Sequence, residues 1–99
     1  MAQPILSADG KLQIVRHSMV YPAMGPKCVQ GAVKNNSAES AGAEIKVEFF
    51  DADGNLLGTS VAVFKDIKPG ETRLIDIWAE RLPNMYEVDE YKIDYIKTI

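Results

Sequence analysis

The chain has 99 residues, enough for one domain that buries roughly 60 to 68% of the surface its unfolded form exposes and can fold without disulfides or metal. Its formal charge is -3, with 11 Lys and Arg scattered among 14 Asp and Glu, so the counterion release that drives nucleic-acid binding has no source and no nucleic-acid partner is expected. No run approaches the roughly 20 apolar residues of a transmembrane segment, Met1 to Ser7 lacks the regions of a signal peptide, and Cys28, the single cysteine, excludes an intrachain disulfide.

Residues 1–10 read as an N-terminal tail closing at Asp9-Gly10, and 11–99 as a single domain. Leu12, Ile14 and Val20 mark a first strand, and Pro22, Gly25 and Pro26 break the chain before a second, Cys28 to Lys34. Val29 and Val33 share one face of that second strand, and Gly31 between them signals a bulge or a close backbone approach. The polar cluster Asn35 to Ser40 ends the strand. Within it, Asn35-Asn36-Ser37 is a formal glycosylation sequon, compatible with an exposed turn.

The run Glu44 to Thr59, EIKVEFFDADGNLLGT, carries the strongest local signal. Ile45, Val47 and Phe49 fall on one face of an extended chain while Glu44, Lys46 and Glu48 fall on the other. Asp51-Ala52-Asp53-Gly54-Asn55 supplies the residues that tolerate left-handed backbone and bond their own main chain, which closes a hairpin. The next strand runs to about Phe64, and Pro69-Gly70 suits the middle of a type II turn, Pro fixing the first φ and Gly supplying the positive one. Thr72 to Trp78 is extended, with Ile75 and Ile77 opposed to Leu74, Asp76 and Trp78. Ala79 to Met85 contains Pro83 and reads as a loop with at most one turn. Tyr91, Ile93 and Tyr95 alternate with Lys92 and Asp94 in a closing strand. Short apolar runs divided by turn residues are the pattern of a sandwich or barrel.

Three motifs in this order resemble the FxLYD domain family: Gly31-Ala32-Val33-Lys34-Asn35-Asn36-Ser37, the hairpin from Phe49 to Thr59, and Pro69-Gly70-Glu71-Thr72, with Tyr91-Lys92-Ile93 similar to the family's last strand. The resemblance covers most of residues 11–99. The naming tetrad departs from the pattern, since Val47-Glu48-Phe49-Phe50-Asp51 stands where Phe, Leu and Tyr would be, but volume and apolar character are kept. The resemblance implies an all-β fold, an immunoglobulin-like antiparallel β-sandwich of about seven strands. It also implies an extracytoplasmic setting, secreted or at the cell envelope of bacteria and archaea, beside neighbouring domains. The family has no assigned catalytic residues, so none are carried over.

The remaining chemistry is tested on the residues themselves. Asp51, Asp53 and Asn55 occupy the first three ligand positions of an EF-hand loop, but Leu56 stands where glycine is required and Ala62 where the bidentate Glu should be, which excludes that motif. A looser calcium site at Asp51, Asp53 and Asn55 stays open beside the plainer reading of a polar hairpin tip. Cys28, His17, Met19 and Met24 raise a copper centre, yet such a site needs two histidines and the chain has one. A Cys-His hydrolase fails on the same shortage. Cys28 reads as a small buried strand residue, and His17 as a strand-end or loop residue. Asp89 with Glu90, and Glu44 with Glu48, lie among lysines and read as solvated faces rather than acid/base pairs.

Trp78, Tyr86 and Tyr91 fit either an aromatic recognition surface or, the stronger reading, core packing for Trp78 and Tyr91. No cofactor and no enzymatic activity are expected. The expected function is a non-catalytic interaction or spacer module with protein partners or neighbouring domains; the alternative is a small-ligand- or calcium-binding domain using Asp51 to Asn55 and Asn84 to Asp89. Edge strands also allow pairing by strand addition.

Overall fold

The computed structural model describes residues 5–21, 26–79, 82 and 84–99. Seven strands follow in chain order: β1 (Ile5–Leu6), β2 (Leu12–Val20), β3 (Cys28–Asn35), β4 (Ala41–Phe50), β5 (Leu56–Ile67), β6 (Thr72–Trp78) and β7 (Glu90–Thr98). Among the described residues the one helical element is a 3-10 turn at Met85–Glu87. The strands form two antiparallel sheets, β1-β2-β3-β6 and β5-β4-β7, and the chain crosses between them after β3, β5 and β6. This is an immunoglobulin-like β-sandwich.

The core lies between the sheets. Leu12, Ile14, Val29 and Val33 enter from one side, Ile45, Val47 and Phe49 from the other, all without solvent exposure. Each buried side chain of this size stabilises by about 1.5–3 kcal/mol relative to an exposed one. The alternation in β4 is therefore real: Ile45, Val47 and Phe49 face inward while Glu44, Lys46 and Glu48 are half-buried on the outer face.

Bulges in β2 and β7 reset which residues face the core. In β2, Ile14 pairs with Val33 and Arg16 with Ala32, leaving Val15 as the extra residue. Before it Leu12 and Ile14 point inward; after it the parity flips, so Val20, the last residue of the same strand as expected, is 37% exposed. Gly31 sits opposite, where an added Cβ would come within 2.4 Å of the Arg16 carbonyl oxygen, the close approach its mid-strand position announced. In β7, Val47 pairs with Ile93 and Lys46 with Tyr95, leaving Asp94 extra. Ile93 and Ile96 are buried, whereas Tyr95 turns outward and donates its hydroxyl to Glu44 Oε2 at 2.7 Å.

Ile5 and Leu6, expected within a tail, belong to the sheet: Ile5 pairs with Ile14 and Leu6 with Gln13. The strand expected to end near Phe64 continues to Ile67. The turn after it is as expected, with Gly70 at φ 76° and the Glu71 N–H donating to the Lys68 carbonyl at 2.9 Å. Glu71 then receives Lys68 N at 2.8 Å and Arg73 Nε at 2.7 Å, while the Arg73 guanidinium reaches the carbonyls of Lys65 and Asp66, fastening the β5–β6 corner. Of the loop expected over Ala79 to Met85, Glu80, Arg81 and Pro83 lie outside the described residues, as do Pro22 and Gly25; Leu82 is buried against the space above Gly58.

Candidate functional site

The outer face of the four-stranded sheet carries exposed large apolar side chains beside an open depression. The register sets three rows across β2, β3 and β6: Arg16, Ala32, Leu74; Ser18, Gln30, Asp76; and Val20, Cys28, Trp78. On the central strand Ala32 and Cys28 are covered by their neighbours, at 0% and 1% exposure. On β6, by contrast, Leu74 is 71% exposed and Trp78 43%. Because β6 alternates strictly, burying Ile75 and Ile77 in the core forces Leu74, Asp76 and Trp78 outward. Between the raised β6 row and β2 lies an open depression of about 590 Å³, floored by Gln30 and Gly31 and walled by Arg16, Ser18, Leu74 and Asp76. The face thus combines two large apolar side chains, a concave floor and one charge of each sign. Among the described residues neither Arg16 nor Asp76 is in an ion pair.

Trp78 corrects the expectation of a core role: it stands on the outer face, its carbonyl accepting the Ser60 hydroxyl at 3.1 Å across the seam with β5. Tyr86 is 70% exposed on the 3-10 turn. Tyr91 is half-buried and belongs to neither of these surfaces. Its hydroxyl lies 2.6 Å from His17 Nδ1, the two rings meeting edge to face at 5.6 Å, and burial raises its pKa. His17 is accordingly not a strand-end or loop residue but sits inside β2, bridging the seam to β7.

Cys28 is buried as expected. Burial first, and the charge of Asp76 second, push its thiol pKa upward, the opposite of what a nucleophile needs. It lies on the outer side of the sheet with Val20, while His17 and Met19 follow the other parity of β2; Met24 is outside the described residues. No three His, Cys, Asp or Glu side chains gather among the described residues.

The acidic hairpin tip is occupied by its own turn. One carboxylate oxygen of Asp51 accepts the backbone N–H groups of Asp53 and Asn55, each at 2.9 Å, and the other accepts Asn55 Nδ2 at 3.2 Å. Gly54 takes φ 83° and donates to the Asp51 carbonyl. These bonds, that from the Asn55 N–H first, lower the Asp51 pKa. The loop at 84–89 adjoins this tip, since Asp89 N donates to the Phe50 carbonyl at 2.8 Å. Tyr21 donates its hydroxyl to the Asp89 carbonyl, and Lys27 donates to the Val88 carbonyl while lying 4.8 Å over the Tyr21 ring. That end of the sandwich is latched by these contacts.

The sequon also changes meaning. Asn35 is fully buried, its amide donating to the carbonyls of Glu39 and Ile67, so it is a structural residue and not an exposed acceptor. The residues that sequence reasoning underweighted are Leu74 and Val20. Leu74 was legible from its opposition to Ile75; Val20 was hidden by the β2 bulge.

No helix among the described residues is long and apolar enough to cross a membrane. No family model matches the chain, and no solved structure matches it. It is 34% identical over 61 residues to an uncharacterized protein of Methanocaldococcus jannaschii, a match covering 61% of this chain and 45% of that relative. The matched region is less than half the relative's length.

Proposed function

We propose that this chain is a non-catalytic interaction or spacer module of an extracytoplasmic protein, and that the outer face of β2, β3 and β6 is its contact surface. The observation that carries this is that Leu74, on the rim of an open depression, and Trp78, four residues further along the same face of β6, both stand in solvent. Scattered apolar residues are ordinary on surfaces, but large ones grouped around a concavity with a polar rim mark contact sites. A non-catalytic role is supported by the state of the reactive groups: the His17 ring is engaged with Tyr91, and Cys28 is buried with its pKa raised. The extracytoplasmic setting rests on the resemblance to FxLYD domains.

A photo-crosslinking amino acid placed at position 74, with position 92 on the outer face of the other sheet as control, tests the surface. Adducts are expected from position 74 and not from position 92. Equal yields from both, or none from 74, would remove the face from consideration.

A further inference from the structure

We infer that the occupant of this face is a second copy of the chain, packed sheet to sheet about a two-fold axis running along the strands; this deepens the proposal that the face is a contact surface and rests on it. Such an axis exchanges sides while keeping rows, so β6 of each copy lies over β2 of the other. The consequences follow from the register. Trp78 meets the partner's Val20, apolar against apolar. Arg16 lies over the partner's Leu74, two residues from the partner's Asp76 and on the same face. Its aliphatic stem covers the leucine and its guanidinium reaches the carboxylate. The same contacts recur in the opposite direction, as an isologous interface requires.

In the middle row the small Ser18 of each copy faces the partner's Asp76, and the two Gln30 amides face each other at the centre. Arg16 and Asp76, in no ion pair within one chain among the described residues, gain a partner only across the axis. The alternative axis, perpendicular to the strands, would set Asp76 against the partner's Asp76 and is disfavoured by like charge. Three strands by three rows span about 300 Å² of sheet plane at ordinary strand spacings, less than the roughly 800 Å² per partner of a standard interface. The dimer is therefore weak and reversible.

Sedimentation equilibrium of the 99-residue chain from micromolar to about 1 mM tests this. Mass is expected to rise toward that of a dimer and to fall back as salt is added. Leu74→Ser should weaken association at least about tenfold. Arg16→Asp and Asp76→Arg should each weaken it, and the double exchange should restore it, with circular dichroism melts confirming that all variants fold. A chain that stays monomeric at 1 mM overturns the dimer, and so does association indifferent to Leu74→Ser. Failure of the double exchange to restore it overturns the two-fold pairing. A monomeric chain that still crosslinks from position 74 to a different protein overturns the dimer alone and leaves the contact surface standing.

Discussion

The Asn35 side-chain amide donates to the Ile67 carbonyl at 2.9 Å, joining the end of β3 in one sheet to the end of β5 in the other. The same nitrogen reaches the Glu39 carbonyl at 2.7 Å, and Asn35 Oδ1 accepts the Ser37 N–H at 2.9 Å and the Ser37 hydroxyl at 2.7 Å. Its backbone completes the knot: Asn35 N donates to the Glu71 carbonyl and Gly70 N to the Asn35 carbonyl. One fully buried residue thus satisfies polar groups of three chain segments.

Replacing Asn35 by alanine should therefore cost about 2–4 kcal/mol, because it removes the donor to the buried Ile67 carbonyl as well as opening space. In a domain of this size that lowers Tm by roughly 10–20 °C, measurable by circular dichroism. Asn36→Ala, whose exposed side chain bonds Gln13 Oε1 at 3.1 Å, should change Tm by no more than a few degrees. Equal effects at 35 and 36 would contradict the account.

Gly31 and Gly58 make a second comparison. A Cβ at Gly31 meets the Arg16 backbone oxygen at 2.4 Å, whereas one at Gly58 meets the end of the Leu82 side chain at 2.3 Å. Backbone in a paired bulge cannot retreat without breaking the register, but a leucine can change rotamer. Gly31→Ala should cost about 2–3 kcal/mol and Gly58→Ala about half that or less. Urea denaturation of the two variants decides it, and a Gly58 variant as unstable as the Gly31 one would refute the argument.

These cases show what was readable before the structure. The β4–β5 hairpin could be read because its signal is local: a period of two, one wet face and a turn of Asp, Gly and Asn. Gly31 was flagged for the same reason. The outward facing of Val20 and Tyr95 was not readable because a bulge is decided by pairing between distant residues, Val15 against β3 and Asp94 against β4, and one extra residue inverts every face beyond it. Ile5–Leu6 is too short to show any period. At the candidate site the outward direction of Leu74 was evident from its opposition to Ile75, whereas Trp78, expected in the core, stands on the same outward face. That no described residue covers that side depends on where the second sheet packs, which no local pattern carries.

Acid should expose the role of Asp9. Its carboxylate accepts the Ser7 hydroxyl at 2.6 Å, Lys11 N at 3.0 Å and the Thr98 hydroxyl at 3.0 Å, and these bonds, the Ser7 one first, hold its pKa at about 2 against an ordinary 3.8. A folded pKa below the unfolded one means stabilisation that is present above about pH 4 and is lost as pH falls toward 2. Asp51 and Glu71, also lowered by hydrogen bonds, act in the same direction. The urea midpoint should therefore drop between pH 4 and 2, and less so in Asp9→Asn. An equal drop in both proteins would show that the Asp9 cluster does not contribute.

Cys28 gives the last prediction. It is 1% exposed, its Sγ lies 3.6 Å from the Val29 carbonyl, and burial with the nearby Asp76 charge raises its pKa. The thiolate is the species that attacks a disulfide reagent, so both access and ionisation oppose reaction. At pH 8 the native chain should react with an aromatic disulfide reagent at least about a hundredfold more slowly than the unfolded chain in urea, at a rate limited by opening of the sheet. Asp76→Asn removes the charge and leaves the cover in place, so it should raise the native rate only a few-fold. Trp78→Ala removes the neighbour across the β3–β6 pair and should raise it further. If Asp76→Asn had the larger effect, charge rather than cover would be what protects the thiol.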